Sequence, residues 1–448
     1  MRLPLPRRQW VRVVVIAGAV CAVLLIAALA WALPAPLQPL SPEIAGRTPN
    51  PERGRYLAIE GDCGACHTRP GGSVYAGGRA LETPLGAVYS TNITPDPNTG
   101  IGRYTLPEFI RVMRQGVARD GRRIYPAMPY TAYTKVSDAD LQDMLAYLRH
   151  GVPSVTQADR ASDIPWPLSI RWPLAFWNKA FLDDRRFEPV PARSVAWNTG
   201  AYLVEGLGHC GTCHTPRGLA FQERAVTNDT PTYLAGAELD GQSAANLRGN
   251  EGAGLKRSTP ADIVALLKTA RNRHRSVAGQ MAEVVEASTQ HMRDEDLFAI
   301  ATYLKSLSPA PDRKDSFAPS DVTTRQLSSG RLPHPGARIY IDSCSACHRY
   351  NGQGAKLTIP SLAGNSAVLH DSPDTILSVI LGGARLPSTS GEPSRTAMPA
   401  YYWRYSDQEI ADLATFIRNA WGNHAPRVQA AEVKDARKLV QQRAREQR

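Results

Sequence analysis

Residues 60–72 read EGDCGACHTRPGG and bring Cys63, Cys66 and His67 within five positions of one another. A disulfide would leave the imidazole without a role, and a zinc ion would need further ligands from elsewhere. A covalently attached haem uses all three groups: the thiols add to its vinyl groups and the imidazole takes the iron. The pattern returns as HCGTCHT (Cys210, Cys213, His214) and as SCSACHR (Cys344, Cys347, His348), so six of the seven cysteines fall into three identical motifs. Tetrahedral zinc sites usually pair one C-x-x-C with a second ligand pair nearby, whereas each motif here stands alone in its own third of the chain. Three covalent haem c groups are the expectation. Structural zinc, disulfides and redox-active thiol pairs are the weaker alternatives.

Each motif heads a similar segment. A Gly-containing, apolar lead-in comes first: GRYLAIEGDC from Gly54, GAYLVEGLGHC from Gly200 and GARIYIDSC from Gly336. A loop follows around Asn92, Asn246 or Pro360, and then a middle helix. In TLPEFIRVMRQGV, Thr105 is the predicted cap, Pro107 lies in the first turn and Glu108 takes the capping-box position. Pro260 and Pro373 repeat that plan. Leu106, Phe109, Ile110, Met113 and Val117 recur at helical spacing and mark one buried face. Each segment closes with a helix over 137–150, 293–307 or 406–420. Ser137 with Asp140 and Ser406 with Glu409 form cap pairs; Arg293 at the cap of the second predicts a less crisp start.

The pattern is therefore all-α: three tandem cytochrome c-like haem domains after an N-terminal transmembrane helix. The boundaries read as a basic cytoplasmic N-terminus (1–12), an anchor or signal (13–33) and a first domain (45–155). A Trp/Pro-rich linker (156–190) leads to a second domain (191–309), a polar linker (310–330) to a third (331–423), and a basic helical tail (424–448) ends the chain. The uncharged run over 13–33 is 21 residues, near the length that crosses a bilayer and longer than a usual signal core. Arg2, Arg7, Arg8 and Arg12 precede it, which orients the bulk of the chain outward. A retained anchor is expected over a signal cut after 28–30, and Arg7-Arg8 reads as its positive flank and not as a twin-arginine signal. Cys21 is a small residue within that run. The linker's Trp166, Trp172 and Trp177 are expected to pack between haem domains, with the membrane interface or a partner subunit as alternatives. The formal charge of +11 falls to about +5 once six ionised propionates are counted, and nothing resembles a nucleic-acid module.

The sixth iron position decides the chemistry, because His/Met closure passes electrons at raised potential and an open face binds small molecules. Met128 in YPAMPY and Met398 in RTAMPA lie nine and eight residues before their closing helices. In both, a following Pro stiffens the loop that presents the sulfur. The middle copy offers Met281 and Met292, with His274 and His291 nearby. Met292 abuts the closing helix, so Met281 is preferred, although without a following Pro. Met113 and Met144 lie on helical faces and read as core.

The combination of YSTNITPDPNTGIG, YPAMPYTAY, ASDIPWPLSIRWPLAFWN and AYLVEGLGHCGTCHTPRG resembles the tri-haem cytochrome c subunits of bacterial membrane-bound dehydrogenases over residues 45–425. The resemblance implies His67, His214 and His348 as proximal ligands, with Met128, Met281 and Met398 opposite. It implies a catalytic partner of the PQQ, flavin or molybdenum type, electron delivery to ubiquinone, and an inner-membrane location with the haem domains in the periplasm. No constellation for substrate chemistry of its own stands out. The competing functions are a free-standing carrier feeding a terminal oxidase and a haem peroxidase with an open middle site near His274 and His291.

Overall fold

The computed structural model describes residues 7–239, 242–251, 254–273, 275–311 and 317–446. Three helical cores form, one for each motif, and the only strands among the described residues are three short two-stranded ladders. In every unit a lead-in helix (Pro51–Glu60, Val195–Tyr202 or Pro335–Ser343) crosses a closing helix (Asp138–His150, Asp294–Ser306 or Asp407–Asn419). The crossing glycine is what lets them approach. A Cβ on Gly54 would lie 1.9 Å from the Asp143 carbonyl oxygen, on Gly200 2.0 Å from that of Ala299, and on Gly336 2.1 Å from that of Asp412.

From glycine to first cysteine the spacing is nine, ten and eight residues. The second copy carries a π-helical turn over Leu203–Leu207 within its longer spacing, which widens the coil at that point.

Local capping largely follows the predicted chemistry. Thr105 and Glu108 form a full capping box, Thr259 and Asp262 form another, and Ser406 with Glu409 a third. The third middle helix departs: Pro373 is itself the cap residue, and the Ser372 hydroxyl accepts from the Asp374 amide instead. Phe109, Met113 and Val117 are buried, and Leu106 and Ile110 pack on the same core. Met144 is buried there too.

Arg293 does not give a frayed helix start. Its amide donates to the Tyr56 hydroxyl of the first unit at 2.9 Å, and that hydroxyl donates to Asp296 at 2.6 Å. The second unit reciprocates: the Ser137 amide donates to the Tyr202 hydroxyl at 3.1 Å, and Tyr202 donates to Asp140. Two tyrosines from equivalent positions thus each cap the other unit's closing helix. The third unit has Arg338 at that position, largely exposed and beside Asp342.

Glu60 is buried at this junction. Burial pushes its carboxyl up to about 8, Asp296 and Asp140 push the same way, and Arg293 and Arg53 oppose them. A carboxyl raised in the folded state is held protonated, so its contribution is intact below its ordinary value of about 4.5 and is lost as pH climbs through about 8. Stability is therefore expected to fall from pH 5 to pH 8.5. Glu60→Gln should remove on the order of 1–3 kcal/mol of that slope, read as a smaller difference between thermal midpoints at the two pH values. An unchanged slope would reject the assignment.

The third unit docks on the second. Arg271, buried, donates to the carbonyls of Pro387 and Ser394. Glu286 accepts from the Ser388 amide and faces Arg395. The tail helix Ala430–Glu446 rests on the third core through the fully buried Val433, and Arg437 bonds Asp407 and the Tyr405 carbonyl. The helix Val322–Ser328 of the polar connector also joins that core, through Leu327.

Candidate functional site

Each C-x-x-C-H motif closes in a single helical turn: Cys63–Cys66, Gly211–His214 and Ser345–His348. The next loop then returns to the histidine. His67 Nδ1 lies 2.7 Å from the Thr91 carbonyl, His214 Nδ1 2.7 Å from that of Ala245, and His348 Nδ1 3.2 Å from that of Pro360. A carbonyl can only accept, so Nδ1 carries the proton in all three and Nε2 keeps a free lone pair. Burial holds all three imidazoles below their ordinary value, hence neutral and able to ligate.

The residue after the accepting carbonyl explains two of these loops. Asn92 Oδ1 accepts from the Thr94 amide, and its Nδ2 donates to the Val155 and Gln157 carbonyls. Asn246 Oδ1 accepts from the Arg248 amide, and its Nδ2 donates to Asn250. Both loops stand out in the sequence. Their carbonyl partners do not, because a backbone acceptor leaves no side-chain signature.

The thiols are in the wrong surroundings for redox exchange, which needs thiolate. Burial pushes Cys63, Cys210 and Cys344 each up to about 12. Among the described residues, no cluster of three or more His, Cys, Asp or Glu has metal-site geometry. Paired thiols beside a neutral imidazole with Nε2 free fit the attachment chemistry of haem c.

The first two motifs face each other across the unit boundary. The His209 ring packs edge-on to Tyr133 at 5.8 Å, and its Nε2 lies 3.3 Å from the Gly61 carbonyl. Burial pushes Cys66 up to about 11, with Asp62 and, across the boundary, Cys213 adding to it. The two tyrosine caps hold this arrangement. Tyr56→Phe together with Tyr202→Phe is expected to weaken it without touching either motif. The readout is circular dichroism in the Soret band of the haem-loaded chain, where a couplet between neighbouring haems should shrink while the absorption spectrum stays the same. A couplet identical to wild type would remove the positioning role.

The methionines occupy three different settings. Met128 sits in the loop before Tyr130 and packs on the first core. Met398 pairs with Ala384 in a short ladder and packs on the third core. In the middle unit Met292 is buried core, and Met281 is half-buried on the helix Gln280–Ala287. That helix is tied on both sides, through Glu283 to Arg79 of the first unit and through Glu286 to the third. The His291 ring is exposed against the Glu286 carbonyl; His274 lies outside the described residues.

Residues 51–151 and 334–421 match the cytochrome c family. The chain is 45% identical over 393 residues to the gluconate 2-dehydrogenase cytochrome c subunit of Pantoea cypripedii, across 86% of this chain and 89% of that one. It is 45% identical over 387 residues to the cytochrome c subunit of the quinone alcohol dehydrogenase of Komagataeibacter europaeus, across 85% and 83%. To the fructose dehydrogenase cytochrome subunit of Gluconobacter japonicus it is 34% identical over 422 residues, across 89% and 85%.

Proposed function

The chain belongs to the cytochrome c subunits of bacterial membrane-bound dehydrogenases, and from that membership we propose that it holds three covalent haem c groups and relays electrons from a periplasmic dehydrogenase subunit to ubiquinone. Cys63 and Cys66, Cys210 and Cys213, and Cys344 and Cys347 are the attachment thiols. His67, His214 and His348 are the proximal ligands, and Met128, Met281 and Met398 the distal ones. The bound groups supply reversible one-electron chemistry at iron.

The chain's own residues do the rest. Thr91, Ala245 and Pro360 orient the imidazoles, and the tyrosine caps hold the first two motifs together. Arg271 and Glu286 seat the hairpin that carries Met398. The observation that carries this reading is the threefold recurrence of a motif imidazole held at Nδ1 by a backbone carbonyl. The helix over Arg7–Ala32, with its apolar span Trp10–Ala32, serves as a retained anchor that keeps the three units at the outer face of the inner membrane.

The test is a gentle detergent extraction from native membranes, followed by addition of gluconate, ethanol, an aldehyde or nicotinate. A copurifying dehydrogenase subunit, haem bands that one substrate reduces and reoxidation by ubiquinone are the expected results. A chain that emerges alone, with haems that no substrate reduces, would replace this reading with a free-standing carrier to an oxidase.

A further inference from the structure

We infer that the outer face of the Trp/Pro-rich connector is a bilayer-interface contact that seats the first haem unit on the membrane. The connector is two-sided. Its inner side belongs to the protein: the Trp177 Nε1 donates to the Ala220 carbonyl at 2.9 Å, and Asn178 joins the Tyr130 hydroxyl to the Gln115 carbonyl. Tyr125 donates to the Leu168 carbonyl, and its ring lies 4.0 Å under the Arg171 guanidinium. Packing between haem units is therefore the role of Trp177.

It is not the role of Trp166, which is 80% exposed, with Leu168 at 52% and Phe176 at 45% on the same stretch. Among the described residues these open apolar side chains, interrupted by Pro165, Pro167 and Pro173, belong to neither the first nor the second core.

The end of the N-terminal helix identifies the occupant. Trp31 stacks on Phe176 with ring centroids 4.8 Å apart, and Arg123 donates to the Ala32 carbonyl at 3.1 Å. The helix that ends there presents Val13, Val14, Val15, Ile16, Val20, Val23 and Ile26 to its surroundings, a surface that hydrocarbon covers and water does not. The point where it meets the folded units is the level of the headgroups, where tryptophan rings and basic side chains concentrate. The stacked Trp31 and Phe176, with Trp166, Arg171 and Lys179 on the same connector, have that composition. Because Tyr125 and Tyr130 tie the connector to the Met128 loop, the first unit is the one held against the bilayer.

This inference rests on the proposed membrane attachment, and the experiment separates the two. The full haem-loaded chain carrying Cys21→Ser is placed in vesicles of phosphatidylethanolamine and phosphatidylglycerol. A nitroxide is attached at Trp166→Cys, Leu168→Cys or Phe176→Cys, with Val195→Cys, 84% exposed on the second unit, as the aqueous reference. Power-saturation spectra then report collisions with oxygen and with a water-soluble nickel chelate. Several-fold more oxygen and several-fold less nickel contact than at the reference is expected at all three positions. Labels as open to nickel as the reference, on a chain that sediments with the vesicles, overturn the inference and leave the attachment standing. A chain that does not sediment overturns both. Labels that become shielded only when the dehydrogenase subunit is added assign the face to that subunit and likewise overturn it.

Discussion

Gly54→Ala is expected to unfold the first haem unit. The added carbon would sit 1.9 Å from the Asp143 carbonyl oxygen and 2.5 Å from its carbon, and neither is a side chain that can swing away. The two helices would have to separate along their whole crossing, which also strips the Arg47 and Arg53 contacts from the buried Asp143. A cost of about 3–5 kcal/mol follows from overpacking of this severity. The measurement is haem content per chain, which should drop by about one third if only this unit fails to mature. Gly200→Ala and Gly336→Ala should act alike on their own units, at 2.0 Å from Ala299 and 2.1 Å from Asp412. Gly64→Ala is the control: its nearest neighbour is Tyr75 at 3.8 Å, ordinary contact, and alanine suits a helical turn better than glycine. Full haem content and an unchanged melting temperature in Gly54→Ala would rule out the crossing.

Met398→Ala should give the largest redox effect. Thioether ligation raises the potential of a histidine-bound haem, and axial ligands move haem potentials over a wide range. Loss of the sulfur is expected to lower one of three redox transitions by on the order of 0.1 V, with the iron–sulfur charge-transfer absorption of that site lost as well. The hairpin should survive the change, because Arg271 and Glu286 of the second unit hold the segment between its strands. Met281→Ala applies the same test to the middle unit. Met292→Leu there should disturb only packing, since Met292 is already part of the buried core. A titration unchanged in Met281→Ala and shifted in Met292→Leu would exchange their roles.

Much of this architecture is written in short-range pattern. Three motifs, the capping boxes of the first two middle helices and three closing helices can be read directly, because motif spacing and helix caps are decided within a few residues of chain. Core faces such as Phe109, Met113 and Val117 are legible for the same reason, through helical periodicity.

Other features depend on groups brought together from far along the chain. Nothing near Arg293 announces that a tyrosine 237 residues away will cap its helix, so the expected weak start was replaced by a tertiary cap. The carbonyls that hold the three histidines are backbone atoms and leave no mark in composition. The connector shows why the limit is physical. Its tryptophans look alike in sequence, yet Trp177 finds a carbonyl on the second unit while Trp166 stays open at the surface. Which ring packs inward depends on the path of a proline-stiffened chain between two folded bodies, and only the assembled units define that path.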